Sequence, residues 1–139
     1  MIEEKEKKAQ EMYMEYQMLD QHIKQLQKQL EVVAHQLLEL SATSNTLDEF
    51  KKIQEGKAVF VPLSSGIFAK ASIAESSELL VNVGANVVVK KDIDSTKKLI
   101  QFQIEEIKKI QKRAIEDLEK MVNRAGHLEM ELQKMMPQE

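Results

Sequence analysis

From Ala9 onward, apolar side chains recur at alternating intervals of three and four: Ala9, Met12, Tyr16, Leu19, Ile23, Leu26, Leu30, Val33, Leu37 and Leu40, followed in the same rhythm by Ser44 and Leu47. Such spacing is a heptad seam, with Ala9, Tyr16, Ile23, Leu30 and Leu37 at a and Met12, Leu19, Leu26, Val33, Leu40 and Leu47 at d. Gln, Lys, Glu and His dominate the positions between, so a single stripe is built to be buried. The pattern predicts a helix over about residues 5–55. Its end is expected at Glu55-Gly56, because Gly enters the left-handed conformation after a helix without steric cost. At 1.5 Å per residue such a helix spans roughly 75 Å.

After Ala58 the period shortens to two and β-branched residues take over, which predicts four short strands at 59–63, 67–73, 79–83 and 87–90. Turn residues separate them at Ser64-Ser65-Gly66, Glu75-Ser76-Ser77 and Gly84-Ala85-Asn86, where Gly and Asn accept positive φ. Two successive hairpins over 58–91 are the simplest arrangement. Pro62 lacks a donor for the ladder, so its strand is expected at an edge or beside a bulge.

Asp92 then predicts an N-cap and a second helix over about 93–136. Its apolar residues recur at Ile100, Ile107, Ile110, Ala114, Leu118, Met121, Ala125, Leu128, Leu132 and Met135. Between Ile107 and Leu118 the intervals are three, four and four, an eleven-residue stutter expected to unwind the supercoil locally. Pro137 closes the pattern. Two helices of similar length, each with one apolar stripe, are expected to fold back into an antiparallel coiled coil that brings the chain ends together. The fold class is therefore α+β, a long coiled-coil hairpin with two β-hairpins between its helices. About 35 residues of β structure are too few to bury a core alone, and their edges template pairing with other chains. The strands are expected to assemble into an oligomeric β-barrel. The expected interface is Val59, Phe60, Val61, Leu63, Ile67 and Phe68 in the first hairpin and Leu80, Val81, Val83, Val87 and Val89 in the second.

Composition narrows the function. Aromatic residues make up 4% of the chain and charged residues 31%, which suits a thin element better than a thick core. The net charge of −3 arises from 20 basic and 23 acidic residues mixed along the chain, so there is no footprint for nucleic acid or an anionic membrane. Without Cys there is neither a disulfide framework nor a thiolate site. The opening residues are charged, and no apolar run approaches the roughly 18 residues of a membrane helix. A soluble, cytoplasmic protein is expected.

No constellation of residues is arranged for catalysis. His22, His35 and His127 lack metal-binding spacing, and Asp92 and Asp94 read as helix-start residues rather than an acid–base pair. Gly66 and Gly84 open no phosphate-binding helix, and the Lys pairs are interleaved with acids. Neither enzymatic activity nor a cofactor is expected. The informative signal is methionine. All eight Met lie near the two chain ends, with none between Leu19 and Lys120. Met12, Met121 and Met135 fit the seam, whereas Tyr13, Met14, Met18, Met130 and Met136 fall outside it. Flexible, polarizable Met side chains suit a surface that accepts many unrelated apolar segments, so these five are the candidate substrate-binding residues.

The helix, double hairpin, helix layout resembles prefoldin across nearly the whole chain, as one domain over 1–139. The most specific likeness lies in Val61-Pro62-Leu63-Ser64-Ser65-Gly66-Ile67-Phe68-Ala69-Lys70-Ala71 and in Val81-Asn82-Val83-Gly84-Ala85-Asn86-Val87-Val88-Val89. Two hairpins rather than one resemble the α class. Archaeal α subunits often carry a second Gly near position 86, where this chain has Asn, a residue that also adopts the left-handed conformation. The resemblance implies an ATP-independent chaperone in a hexamer with β-class subunits. It also implies that unfolded clients are gripped at the coiled-coil tips and passed to a group II chaperonin. The alternative is a structural scaffold or a filament-forming prefoldin-like protein.

Overall fold

The structure is a computed structural model and describes residues 2–135, so Met136 lies outside the described residues. Helix α1 runs Ile2–Lys51, strands β1 to β4 follow at Ala58–Ser64, Ile67–Ser72, Leu79–Gly84 and Val87–Lys91, and helix α2 runs Ile93–Met135. Strands β1 and β2 form one antiparallel two-stranded sheet, and β3 and β4 form another. The chain divides into two compact units, one of Met1–Gln36 with Ile107–Glu139 and the other of Leu37–Glu106.

In the first unit the helices are antiparallel: Glu15 of α1 meets Arg124 of α2, while Ala9 shares a groove with Leu132 and Met135. Arg124 donates from Nε and Nη2 to the two carboxylate oxygens of Glu15 at 3.0 and 3.2 Å. Those hydrogen bonds hold the guanidinium above its ordinary pKa. Both side chains are about half exposed, so the pair sets register more than it adds stability. Every seam position predicted in α1 from Ala9 to Leu47 is shielded from solvent, and the positions between are exposed apart from Asp20.

Helix α2 departs from the expected pattern. Ile110 is 59% exposed, and Gln111 takes the shielded position instead. Ile93, Lys97, Ile100, Ile104, Ile107, Gln111, Ala114, Leu118, Met121, Ala125, Leu128 and Leu132 are shielded and spaced four and three throughout, with Thr96, Leu99 and Glu131 shielded beside this frame. Helix α2 therefore keeps one heptad frame and has no stutter, because two polar residues occupy seam positions. Long polar side chains can lay their stems along an apolar stripe while their heads reach polar partners or water. Lys97 does so by pairing with Asp48 of α1.

In the second unit the helices are again antiparallel, since Lys97 meets Asp48 and Lys51 meets Asp94 at 3.1 Å. Helix α1 stops at Lys51, before the predicted Gly56. Two tight turns follow, with the amides of Lys52 and Ile53 donating to the carbonyls of Glu49 and Phe50. Gly56 does take a left-handed φ of 80°, but within a later turn that its amide ties to the Ile73 carbonyl at 2.7 Å. Helix α2 starts as predicted. The Asp92 carboxylate accepts from the Ser95 amide at 2.7 Å, and the Asp92 carbonyl accepts from the Thr96 hydroxyl at 2.7 Å. Ile93, Thr96, Ile100 and Ile104 are buried in this unit, and Leu128 is buried in the other.

Each hairpin has a bulge before its two-residue turn. Register shifts between Pro62 and Ser64 and between Asn82 and Gly84. Pro62 thus sits beside an irregularity on a strand with a free edge, as its missing donor requires. The turns differ. Gly66 alone has positive φ in the first, whereas Ala85 and Asn86 stand at 50° and 61° in the second. A pair of positive φ values marks a type I′ turn. Ala85 carries the strain of a Cβ in the left-handed region.

Candidate functional sites

The first site is the end of the coiled coil where the N-terminal part of α1 and the C-terminal part of α2 come together. Residues Ala9, Gln10, Tyr13 and Tyr16 of α1 and Glu129, Leu132, Gln133 and Met135 of α2 line a mostly apolar groove of about 510 Å³. This volume lies in the range of small-molecule sites. Heptad geometry makes the groove. Ala9, Tyr16, Leu132 and Met135 are seam positions, and Tyr13, flanking the seam, lines the groove beside them.

Of the five candidate substrate-binding residues, Tyr13 lines the groove. Met14, Met18 and Met130 are well exposed, Met14 at 64%, but they stand on the outer helix faces and do not line it. Met14 and Met18 share one face of α1 through their four-residue spacing. The groove's other contributors, Tyr16, Leu132 and Met135, were read as seam residues. Incomplete seam closure at the end of a coiled coil is the signal that would have marked them.

The second site is the outer surface of the hairpins. Phe60, Leu63, Ile67, Phe68, Leu80, Val83 and Val87 are exposed, with Phe60 at 70% and Leu80 at 72%, and Val61 stands at the border of exposure. Val59, Val81 and Val89 are partly shielded. Val88, paired with Asn82, is exposed as well. It belongs to the outward row by strand alternation, although the sequence reading passed over it. A row of this size is uncommon on a protein that remains alone in water.

Off-seam apolar residues are also exposed at Val32, Leu38, Phe102, Ile115 and Val122. Hydrophobic periodicity gave no reason to single them out. Among the described residues, no group of three or more His, Asp or Glu is placed to hold a metal ion. No described helix is long and apolar enough to cross a membrane.

Two long helices with two β-hairpins between them, apolar in the groove and on the exposed hairpin surface, define a helical-hairpin subunit of the kind that pairs with other chains. The family model described as Prefoldin subunit matches residues 19–138, and the chain belongs to the prefoldin family, in its alpha class. It is similar to prefoldin subunit alpha of Pyrococcus horikoshii, 29% identical over 134 residues that cover 96% of this chain and 90% of the relative. It is also similar to prefoldin subunit alpha of Archaeoglobus fulgidus, 25% identical over 91% of this chain and 93% of the relative. A third relative, prefoldin subunit alpha of Thermofilum pendens, is 28% identical over 67% of this chain and 72% of the relative. In fold it matches a chain in the cryo-EM structure of filamentous PFD from Methanocaldococcus jannaschii. There the TM-score is 0.78 at 18% identity, covering 86% of this chain and 98% of that one.

Proposed function

We propose that this chaperone subunit is an ATP-independent holdase that grips non-native segments at the groove end of its coiled coil. Assembly is through its hairpins with β-class subunits, and bound clients pass to a group II chaperonin in the cytoplasm without any catalysis. The observation that carries this reading is the apolar groove of Tyr13, Tyr16, Leu132 and Met135, with exposed Met14, Met18 and Met130 in the same unit. Weak contacts at several such tips add up by avidity while leaving each contact reversible.

The test is suppression of aggregation of a chemically denatured protein by the full-chain assembly, without nucleotide and at stoichiometric ratio. Suppression is expected. Changing Tyr13, Met14, Met18, Met130 and Met136 together to Ser or Gln is expected to weaken client binding by about tenfold or more, with helix content and assembly mass unchanged. A variant that holds clients as tightly as the parent would refute the tip site.

A second reading is a scaffold or filament subunit. The exposed strand surface and the fold likeness to a chain of a filamentous assembly favour it. A scaffold would leave the aggregation of the denatured protein unaffected.

A further inference from the structure

The groove carries a charge asymmetry that its apolar lining does not require. Among the described residues that line it, Glu129 is the one charged group. Lys8 and Lys134, the basic residues adjacent to it in sequence, do not line it. Of the acids in this unit, Glu15 binds Arg124, Asp20 bridges Lys24 at 3.1 Å, and Glu131 lies 3.6 Å from His127, but none of these three lines the groove. Glu129 has no ion-pair partner among the described residues. Two tyrosines, Tyr13 and Tyr16, line the same groove, and tyrosine ring faces attract cations.

We propose that the groove discriminates among apolar client segments and favours those carrying Lys or Arg next to the apolar anchor. The inference rests on the holdase reading and adds a specificity to it. Tyr16, Leu132 and Met135 take the anchor, and the Glu129 carboxylate with the tyrosine faces takes the adjacent cation. A client segment with Glu or Asp in that place puts like charge against Glu129 at the rim of an apolar wall. A solvent-accessible pair of this kind shifts affinity by about three- to fivefold at one tip. Several tips holding one chain multiply the preference.

The test uses short, unstructured fluorescent peptides with one apolar core flanked by Lys, Gln or Glu. Their affinities for the full-chain assembly are read by anisotropy. The expected order is Lys over Gln over Glu, with about threefold between neighbours and a narrowing as salt is raised. Glu129→Gln is expected to bring the Glu peptide to the affinity of the Gln peptide and to cut the advantage of the Lys peptide to the remainder that the tyrosine faces supply, with the Gln peptide unchanged. Glu129→Lys is expected to reverse the order. Equal affinities in the parent, or a preference for Lys over Glu that Glu129→Gln leaves undiminished, would overturn the inference. The Gln peptide with Tyr13→Ser probes the groove without charge. If that variant weakens it while the Lys and Glu peptides bind alike, the charge inference alone fails. If that variant leaves the Gln peptide unaffected, the groove is not the binding site and both readings fail together.

Discussion

Along α1 and α2 the apolar residues of the heptad frame are shielded within the chain, whereas in the hairpins Phe60, Leu63, Phe68 and Leu80 stand in solvent. Both regions are built from the same kinds of side chain. Their difference is one of partnership: each helix stripe meets another stripe of the same chain, but each two-stranded sheet has a partly shielded face and one that no described residue covers. Burial of apolar surface stabilises by roughly 25 cal/mol per Å². Stability and assembly should therefore respond to substitutions in different regions.

Substitution at Leu128 should have the largest effect on the chain itself. This residue is 1% exposed, and Leu128→Asp combines a lost core contact with a buried charge. It is expected to destabilise by on the order of 4 kcal/mol, read as an early loss of helical signal on heating. The contrasting pair, Phe60→Asp with Leu80→Asp, should leave the helical signal of the chain nearly intact. Exposed substitutions usually change stability by about 0.5 kcal/mol or less. The same pair should lower the native mass of the assembly, and retention of the full mass would remove the hairpin surface as its interface.

Gly126 offers a smaller effect, confined to the helical region. A Cβ there meets nothing within 4 Å, and Gly within an exposed helix is less favourable than Ala by about 1 kcal/mol. Gly126→Ala is thus expected to raise the melting temperature by a few degrees without changing assembly mass. A lowered melting temperature would show that the tip needs the backbone freedom of Gly.

How much of this was legible in advance follows from the same contrast. The α1 seam could be read residue by residue because apolar identity and burial coincide there. In α2 the reading stumbled at Ile110, since a count of apolar residues prefers Ile to its neighbour Gln111 although the four-three frame requires Gln111. Lys97 hid the start of that frame for the same reason. The helix stop was misplaced because Gly56 is a credible cap, while the turn after Lys51 contains neither Gly nor Pro. In the hairpins, strand positions were legible from period two. Which face is covered depends on packing against the rest of the chain, which periodicity alone does not report. At the tip, the exposure of Tyr13, Met14, Met18 and Met130 followed from their off-seam positions. The groove itself did not, because Tyr16, Leu132 and Met135 belong to the seam.

The smallest expected effect is at the junction between the regions. The Ser95 amide hydrogen bond holds the Asp92 carboxyl below its ordinary pKa. A lowered folded-state pKa gives stabilisation that is present above the ordinary value and lost as pH falls through the folded one. Asp92→Asn keeps a capping acceptor that does not titrate. At neutral pH the parent should melt slightly later than the variant, and the two should converge in acid. An offset unchanged from neutral to acid pH would mean that the charge of Asp92 contributes nothing to the cap.

The central claim, that the coiled-coil end grips clients while the hairpins hold the assembly together, is tested most directly by amide hydrogen exchange on the assembled protein with and without a denatured client. The account predicts that residues 9–18 and 128–135 gain protection when client is added. Residues 58–91 should already be protected by assembly and remain unchanged. New protection confined to the hairpins, with the coiled-coil end unaltered, would contradict it.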